Sequence, residues 1–170
     1  AGSIDGTNPT IASSVSANPT AGFSIVTYTG NGTSGATVGH SLGVAPRMVF
    51  IKNRDSATDW QAFGGSLFTR MQLNNTGGDD LNFPCTFSSS TITLPDTNAS
   101  WSSSGKDYVA YCFADVEGYS KIGSYTGNGS ADGPFIYTGF RPAWILVKCT
   151  TAASQQWWVL DDKRNMYNLA

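Results

Sequence analysis

A chain of 170 residues is long enough for one ordinary domain or two small ones. Gly, Ser, Thr and Asn supply 68 of those residues and Glu occurs once, at Glu117, so strong helix formers are scarce; this argues against a helical bundle and weakens an α/β reading. Charged residues make up 13% against a usual ~25%, the net charge is −2, and Lys and Arg are spread singly, which leaves no basic stripe for nucleic acid and an uncharged polar surface.

Residues 1–22 are rich in Ser, Ala, Thr and Asn, with Asn-Pro at 8–9 and 18–19. They read as an extended connector with one strand over Thr10–Val15. They carry no charged leader followed by an apolar stretch, which implies a processed or cut chain. Period-two alternation then predicts strands at Phe23–Thr29, Ala36–Gly39, Arg47–Asn53 and Trp60–Phe63, with a tight turn over Gly30–Gly32. A short helical turn is expected near Ser66–Met71. Thr86–Ser88 and Thr91–Leu94 form a hairpin around Ser88–Ser90, and Asp107–Ala114 is a central closing strand. Further on, Tyr119–Thr126, Phe135–Thr138, Ala143–Lys148 and Gln156–Leu160 repeat the scheme. Short strands punctuated by Gly, Asn and Ser predict an all-β sandwich or jelly roll. No apolar run approaches the ~18–20 residues of a helical membrane span, so membrane insertion is not expected.

The second set of strands follows an internal repeat. Tyr28–Gly32 (YTGNG) recurs as Tyr125–Gly129, 97 residues later. Gly43–Pro46 recurs as Gly139–Pro142, and Met48–Lys52 is answered by Trp144–Lys148, both 96 later. Trp60 answers Trp157; Arg70 and Asn74 answer Arg164 and Asn168. The order is collinear throughout. Three segments follow: a connector over 1–22, a complete β repeat over 23–118, and an incomplete copy over 119–170. The later copy lacks counterparts of Leu81–Ala114. A half-copy leaves a sheet edge uncovered, so the missing strands are expected from chain beyond Ala170, from another chain, or from the first copy.

Few motifs carry chemistry. Gly39-His40-Ser41-Leu42-Gly43 matches a nucleophile-elbow pattern. The lone histidine, however, sits inside the motif, and the following residues lead into a strand; a glycine-flanked β-turn or strand edge, with His40 partly exposed, is expected. Asp79-Asp80 and Asp161-Asp162 are adjacent pairs, which on a strand point to opposite faces. Glu117 lies at the joint between copies. No enzymatic activity is expected. Asp132-Gly133 and Asn74–Asp80 offer scattered oxygen ligands for a structural calcium, without the spacing of a dedicated loop, and no cofactor is implied. Cys85, Cys112 and Cys149 cannot all pair within one chain and form no zinc motif; Cys112, in an apolar run, reads as a buried thiol. Trp101, among serines in a loop, and Trp158, next to Trp157 on a strand, are the candidate contacts for a glycan or a neighbouring subunit. The four N-x-[S/T] strings at Asn31, Asn74, Asn98 and Asn128 follow from composition.

The stretches GFSIVTYTGNGTSGATVGHSLGVAPRMVFIKNRDSATDW and YVAYCFADVEGYSKIGSYTGNGSADGPF resemble a repeat of unknown function in virion proteins of tailed phages, chiefly marine ones. The resemblance spans about residues 18 to 168, and the YTGNG and LGVAP…KNR blocks are its most specific parts. It implies a lectin-like jelly roll, arrays of units joined by connectors such as Ser14–Thr20, and a pattern that continues past Arg164–Asn168. It also implies a place on the virion surface, as part of a tail fibre, head fibre or other appendage. Contacts with other virion proteins and self-association, such as a trimer, follow from it. So do a role in assembly and host attachment, with host glycans as a further partner, and the neighbouring reading of a capsid decoration protein. It brings no catalytic residues.

Overall fold

The computed structural model describes residues 8–64, 69–77, 85–152 and 154–163. Its main sheet holds six antiparallel strands: β1 (Ser13–Asn18), β2 (Phe23–Thr29), β4 (Met48–Asn53), β5 (Gln61–Gly64), β6 (Thr69–Gln72) and β9 (Asp107–Phe113). Their spatial order is β1-β2-β9-β4-β5-β6. A smaller sheet holds β3 (Thr37–Gly39), β8 (Thr91–Thr93) and β7 (Thr86–Phe87), in that order. The coarse architecture is all-β with several antiparallel sheets, consistent with a sandwich.

Alternation explains which face is which. Along β9, Tyr108, Ala110 and Cys112 are buried while Val109, Tyr111 and Phe113 are half-buried. The register places Val26 and Ile51 beside Ala110, and Phe63 beside Val49, so these inward residues form one layer. Val38, Leu42, Ile92 and Leu94 of the smaller-sheet side complete the same cluster. Between the layers Tyr28 and Tyr108 stack with ring centroids 5.2 Å apart. Their hydroxyls are satisfied, as buried hydroxyls must be: Tyr28 donates to the Trp101 carbonyl at 2.8 Å, and Tyr108 donates to the Ala99 carbonyl at 3.0 Å.

The N-terminal segment is more than a connector. Thr10 and Thr37 exchange amide-to-hydroxyl bonds, and Ile11 bridges Val38, which ties the entry of the chain to the smaller sheet. The chain then crosses to the main sheet, and β1 pairs with β2 along its whole length, from Ser13↔Tyr28 to Asn18↔Phe23. The strand therefore starts and ends three residues later than expected. Asn18 accepts from the Ala21 amide and caps a 3-10 turn over Pro19–Ala21. The helical turn expected near Ser66–Met71 is corrected where it can be seen: Thr69–Gln72 is strand β6, paired with β5 through Ala62↔Met71 and Phe63↔Arg70. Residues 65–68 lie outside the described residues.

After Phe113 the pattern changes. Of the four strands expected, two form: β10 (Trp144–Lys148) and β11 (Trp157–Asp161), which pair with each other. Tyr119–Thr126 and Phe135–Thr138 are not strands, which corrects the sequence reading. The reason is partnership. Their counterparts β2 and β3 are held by β1, β9 and β8, and among the described residues after Gly118 no strand takes those places. An extended segment with no ladder leaves its backbone to solvent.

Local geometry nevertheless recurs 96 or 97 residues on. Gly22, Gly32 and Gly43 have φ of 63°, 67° and 77°; Gly118, Gly129 and Gly139 have 72°, 70° and 85°. Asn31 accepts from the Thr33 amide at 2.9 Å, and Asn128 from the Ser130 amide at 3.0 Å. Lys52 donates to the Thr58 carbonyl across its hairpin, as Lys148 does to the Gln155 carbonyl. Met48 faces Gly64 as Trp144 faces Asp161, and the pairs that follow keep step.

Backbone proximity makes Gly30 hard to replace. A Cβ on Gly30 would lie 2.4 Å from the Ser103 carbonyl oxygen, whereas one on Gly123 would meet nothing within 4 Å. Gly30→Ala is expected to cost about 1–3 kcal/mol in urea unfolding, and Gly123→Ala to change stability by less than about 0.5 kcal/mol.

Candidate functional site

The Gly39–Gly43 turn is a structural device. His40 is fully buried, not partly exposed as its sequence setting suggests. Its Nδ1 accepts from the Leu42 amide at 3.2 Å, and its Nε2 lies 3.2 Å from the Ser88 carbonyl, so Nε2 carries the proton. The ring thus closes the turn and fastens it to the β7–β8 loop, and burial follows. Ser41 has φ of 56°, a conformation uncommon for a residue with a side chain. The turn leads into strand β4, as its sequence indicates.

Among the described residues the acidic groups form no cluster of three or more. Asp161 accepts from the Lys163 amide at 3.0 Å, and Asp162 forms a surface ion pair with Lys163 at 3.6 Å. Glu117 is exposed in the turn that the Val116–Ser120 bridge closes. Asp79 and Asp80 lie outside the described residues, as do Arg164 and Asn168. Asn74 holds Trp60 in place, accepting from its amide at 3.0 Å and donating to Asp59 at 2.8 Å. Among the described residues no three of His, Cys, Asp and Glu gather closely enough to hold a metal ion. A shallow polar depression of about 300 Å³ lies at one end of the main sheet, lined in part by Ser13, Thr29, Arg54 and Asp107. Thr29 donates to Asp107 there at 2.7 Å.

The two candidate tryptophans part company. Trp101 is fully buried, which removes it as a glycan or subunit contact. Its indole N–H reaches Asp96 Oδ1 at 3.0 Å, its ring meets Phe63 edge-on at 5.6 Å, and the Arg70 guanidinium lies 5.8 Å from its centre. The serines around it misled because the loop curls through successive Asn and Asp turns that fold the indole inward. Trp158 is 62% exposed, as a surface contact requires. Trp157 donates to the Gln72 carbonyl at 2.8 Å, a bond from the second hairpin to the last residue of β6.

Register shows what Trp158 belongs to. It faces Val147, and Ile145 faces Leu160, so the four side chains share one face of the hairpin. The matching residues of the first hairpin, Val49, Ile51, Gln61 and Phe63, are all buried. Here Ile145 and Leu160 are 42% and 43% exposed. An apolar face that the first half buries is therefore open in the second. Sequence reasoning singled out Trp158 alone; the repeat spacing combined with alternation would have identified the whole face. Phe135 and Tyr137 are also exposed, at 89% and 81%.

The three thiols differ. Cys85 and Cys112 are buried and Cys149 is exposed, and all are free. Desolvation pushes the Cys112 thiol up to about 12 from an ordinary 9.0 and raises that of Cys85 as well. The Thr151 hydroxyl, followed by nearby backbone amides, lowers the Cys149 thiol.

Residues 1–170 match the family described as "Domain of unknown function (DUF7483)", and the chain belongs to it. No curated protein and no solved structure matches the chain.

Two outcomes are expected from the thiols. A disulfide reagent should titrate Cys149 in the folded protein and reach Cys85 and Cys112 only on unfolding, read as one thiol against three. The folded state also keeps the Cys112 proton where the unfolded chain releases it. That stabilisation is whole below about pH 9 and is lost as pH climbs toward 12. Denaturant unfolding across this window should show the pH slope of Cys112→Ala reduced by about one proton relative to the parent.

Proposed function

We propose that this chain is a non-enzymatic structural module on the surface of a phage virion, most simply part of a tail fibre or comparable appendage, acting in assembly and host attachment. The sequence resemblance described above motivates the virion setting. The observation that carries the structural role is the open apolar face of the β10–β11 hairpin. A surface that its counterpart buries is suited to packing against another β unit. The shared turn geometry and hairpin register support reading residues 119–170 as an incomplete copy of the unit that ends at Gly118. In that reading the fold is a jelly-roll-like sandwich, used in series, that associates with other virion proteins and with itself, as in a trimer. Low charge suits a particle in seawater, because screening by salt then alters its contacts little.

A carbohydrate-binding role is the second reading, and the exposed indole of Trp158 favours it. Its neighbours weigh against it. Sugar sites pair a ring with polar groups, whereas Trp158 shares its face with Ile145, Val147 and Leu160.

Quantitative mass spectrometry of purified virions, joined to a particle reconstruction, tests the proposal. A few dozen copies near the tail are expected. Hundreds of copies on the head would replace the fibre with a capsid decoration protein, and absence from the particle would overturn the virion reading altogether. Trp158→Ala should leave unfolding stability within about 0.5 kcal/mol while weakening association between copies in sedimentation. Loss of binding on a glycan array by the same variant, with association unchanged, would favour the carbohydrate reading.

A further inference from the structure

We infer that the free edge of β10 is an acceptor for an extended antiparallel strand, taken in the register that β9 holds on β4. The inference rests on the modular reading proposed above and names the partner that reading lacks.

Three observations carry it. First, β10–β11 reproduces β4–β5 pair by pair, with Trp144↔Asp161 for Met48↔Gly64 and Ile145↔Leu160 for Val49↔Phe63. Lys52 and Lys148 brace the two hairpin loops in the same way. Second, the other edge of β4 is occupied from Met48↔Phe113 to Asn53↔Tyr108 by β9, whereas among the described residues β10 pairs with β11 alone. A row of amides and carbonyls with that geometry is a template for strand addition. Third, the occupant of the first edge defines the chemistry of the second. β9 alternates Tyr108, Ala110 and Cys112 toward the core with Val109, Tyr111 and Phe113 outward. Small residues at the inward centre leave room for the branched side chains of β4 on either side, and β10 carries Ile145 and Val147 at the matching places.

The partner is therefore an uncharged strand of another β unit, about six residues long, with small inward residues and aromatic outward ones. Pairing would place Trp144 opposite an outward aromatic residue and begin to cover a hairpin whose strands, among the described residues, pair only with each other.

The probe is a synthetic peptide of the Asp107–Ala114 sequence with Cys112→Ser, flanked by lysines for solubility, added to the full chain. Hydrogen exchange by NMR is the readout. The β10 amides that point away from β11 should slow by about tenfold or more, while those of β4, already paired with β9, stay unchanged. Two N-methylated peptides set the direction. Methylation of the alternate amides on one edge should abolish protection, and methylation of the other set should leave it intact, because strand addition uses one edge of the peptide.

Absence of protection at saturating peptide would overturn the inference, as would equal binding by both methylated peptides. Protection of β10 that rises with protein concentration and without peptide would overturn it in favour of a second copy of this chain paired edge to edge. The outcome separates from the virion proposal. A failed acceptor edge in a chain located on an appendage removes this inference alone. A working edge in a chain absent from particles removes the virion setting alone.

Discussion

Strand β9 is hydrogen-bonded along both of its edges, to β2 from Phe23↔Phe113 to Thr29↔Asp107 and to β4 from Met48↔Phe113 to Asn53↔Tyr108. Without it the main sheet would divide into a β1–β2 ribbon and a β4–β5–β6 ribbon, and isolated ribbons of two strands are marginal in water. Its inward residues are the middle of the core. Tyr108 also fastens the loop above it, donating to the Ala99 carbonyl and accepting from the Ser103 amide at 3.0 Å. That loop positions Trp101 over Phe63. Backbone pairing, core packing and loop placement thus meet in seven residues.

The second half of the chain shows the same constraint from the other side. Turns depend on near neighbours, and they recur: three left-handed glycines, an Asn turn and a lysine brace reappear 96 or 97 residues on. Strands depend on distant neighbours, and only the two that can pair with each other are present among the expected four. Tyr119–Thr126 was expected to be a strand, yet its counterpart β2 lies between two partners that have no equivalent among the described residues after Gly118.

This difference accounts for what could be read in the sequence. Phe23–Thr29 was legible to the residue, and β4, β5 and β9 to within one, because alternation and flanking Gly or Asn mark them locally. The buried thiol of Cys112 was legible from its apolar run. Trp101 was not, because Ser100, Ser102 and Ser103 suggest solvent, while its burial comes from hydrogen bonds to Asp96 and from Phe63, nearly forty residues away. His40 was misread for a related reason: its partner Ser88 is 48 residues off. The candidate surface was half legible. Trp158 stood out by type, but the face it shares with Ile145 and Leu160 appears only once the strands are paired.

The central place of β9 has a consequence for synthesis. β2 and β4 leave the ribosome well before the strand that joins them, since β9 ends sixty residues after β4 does. At about 5–20 residues per second, the two ribbons wait roughly 3–12 s before they can fuse into one sheet. Throughout that delay the nascent chain carries unclaimed edges on Val26, Val49 and Ile51, the residues that will become its interior. A neighbouring nascent chain of the same kind is at that moment the best available mate, so correct folding depends on spacing between ribosomes or on escort until the last joining strand arrives.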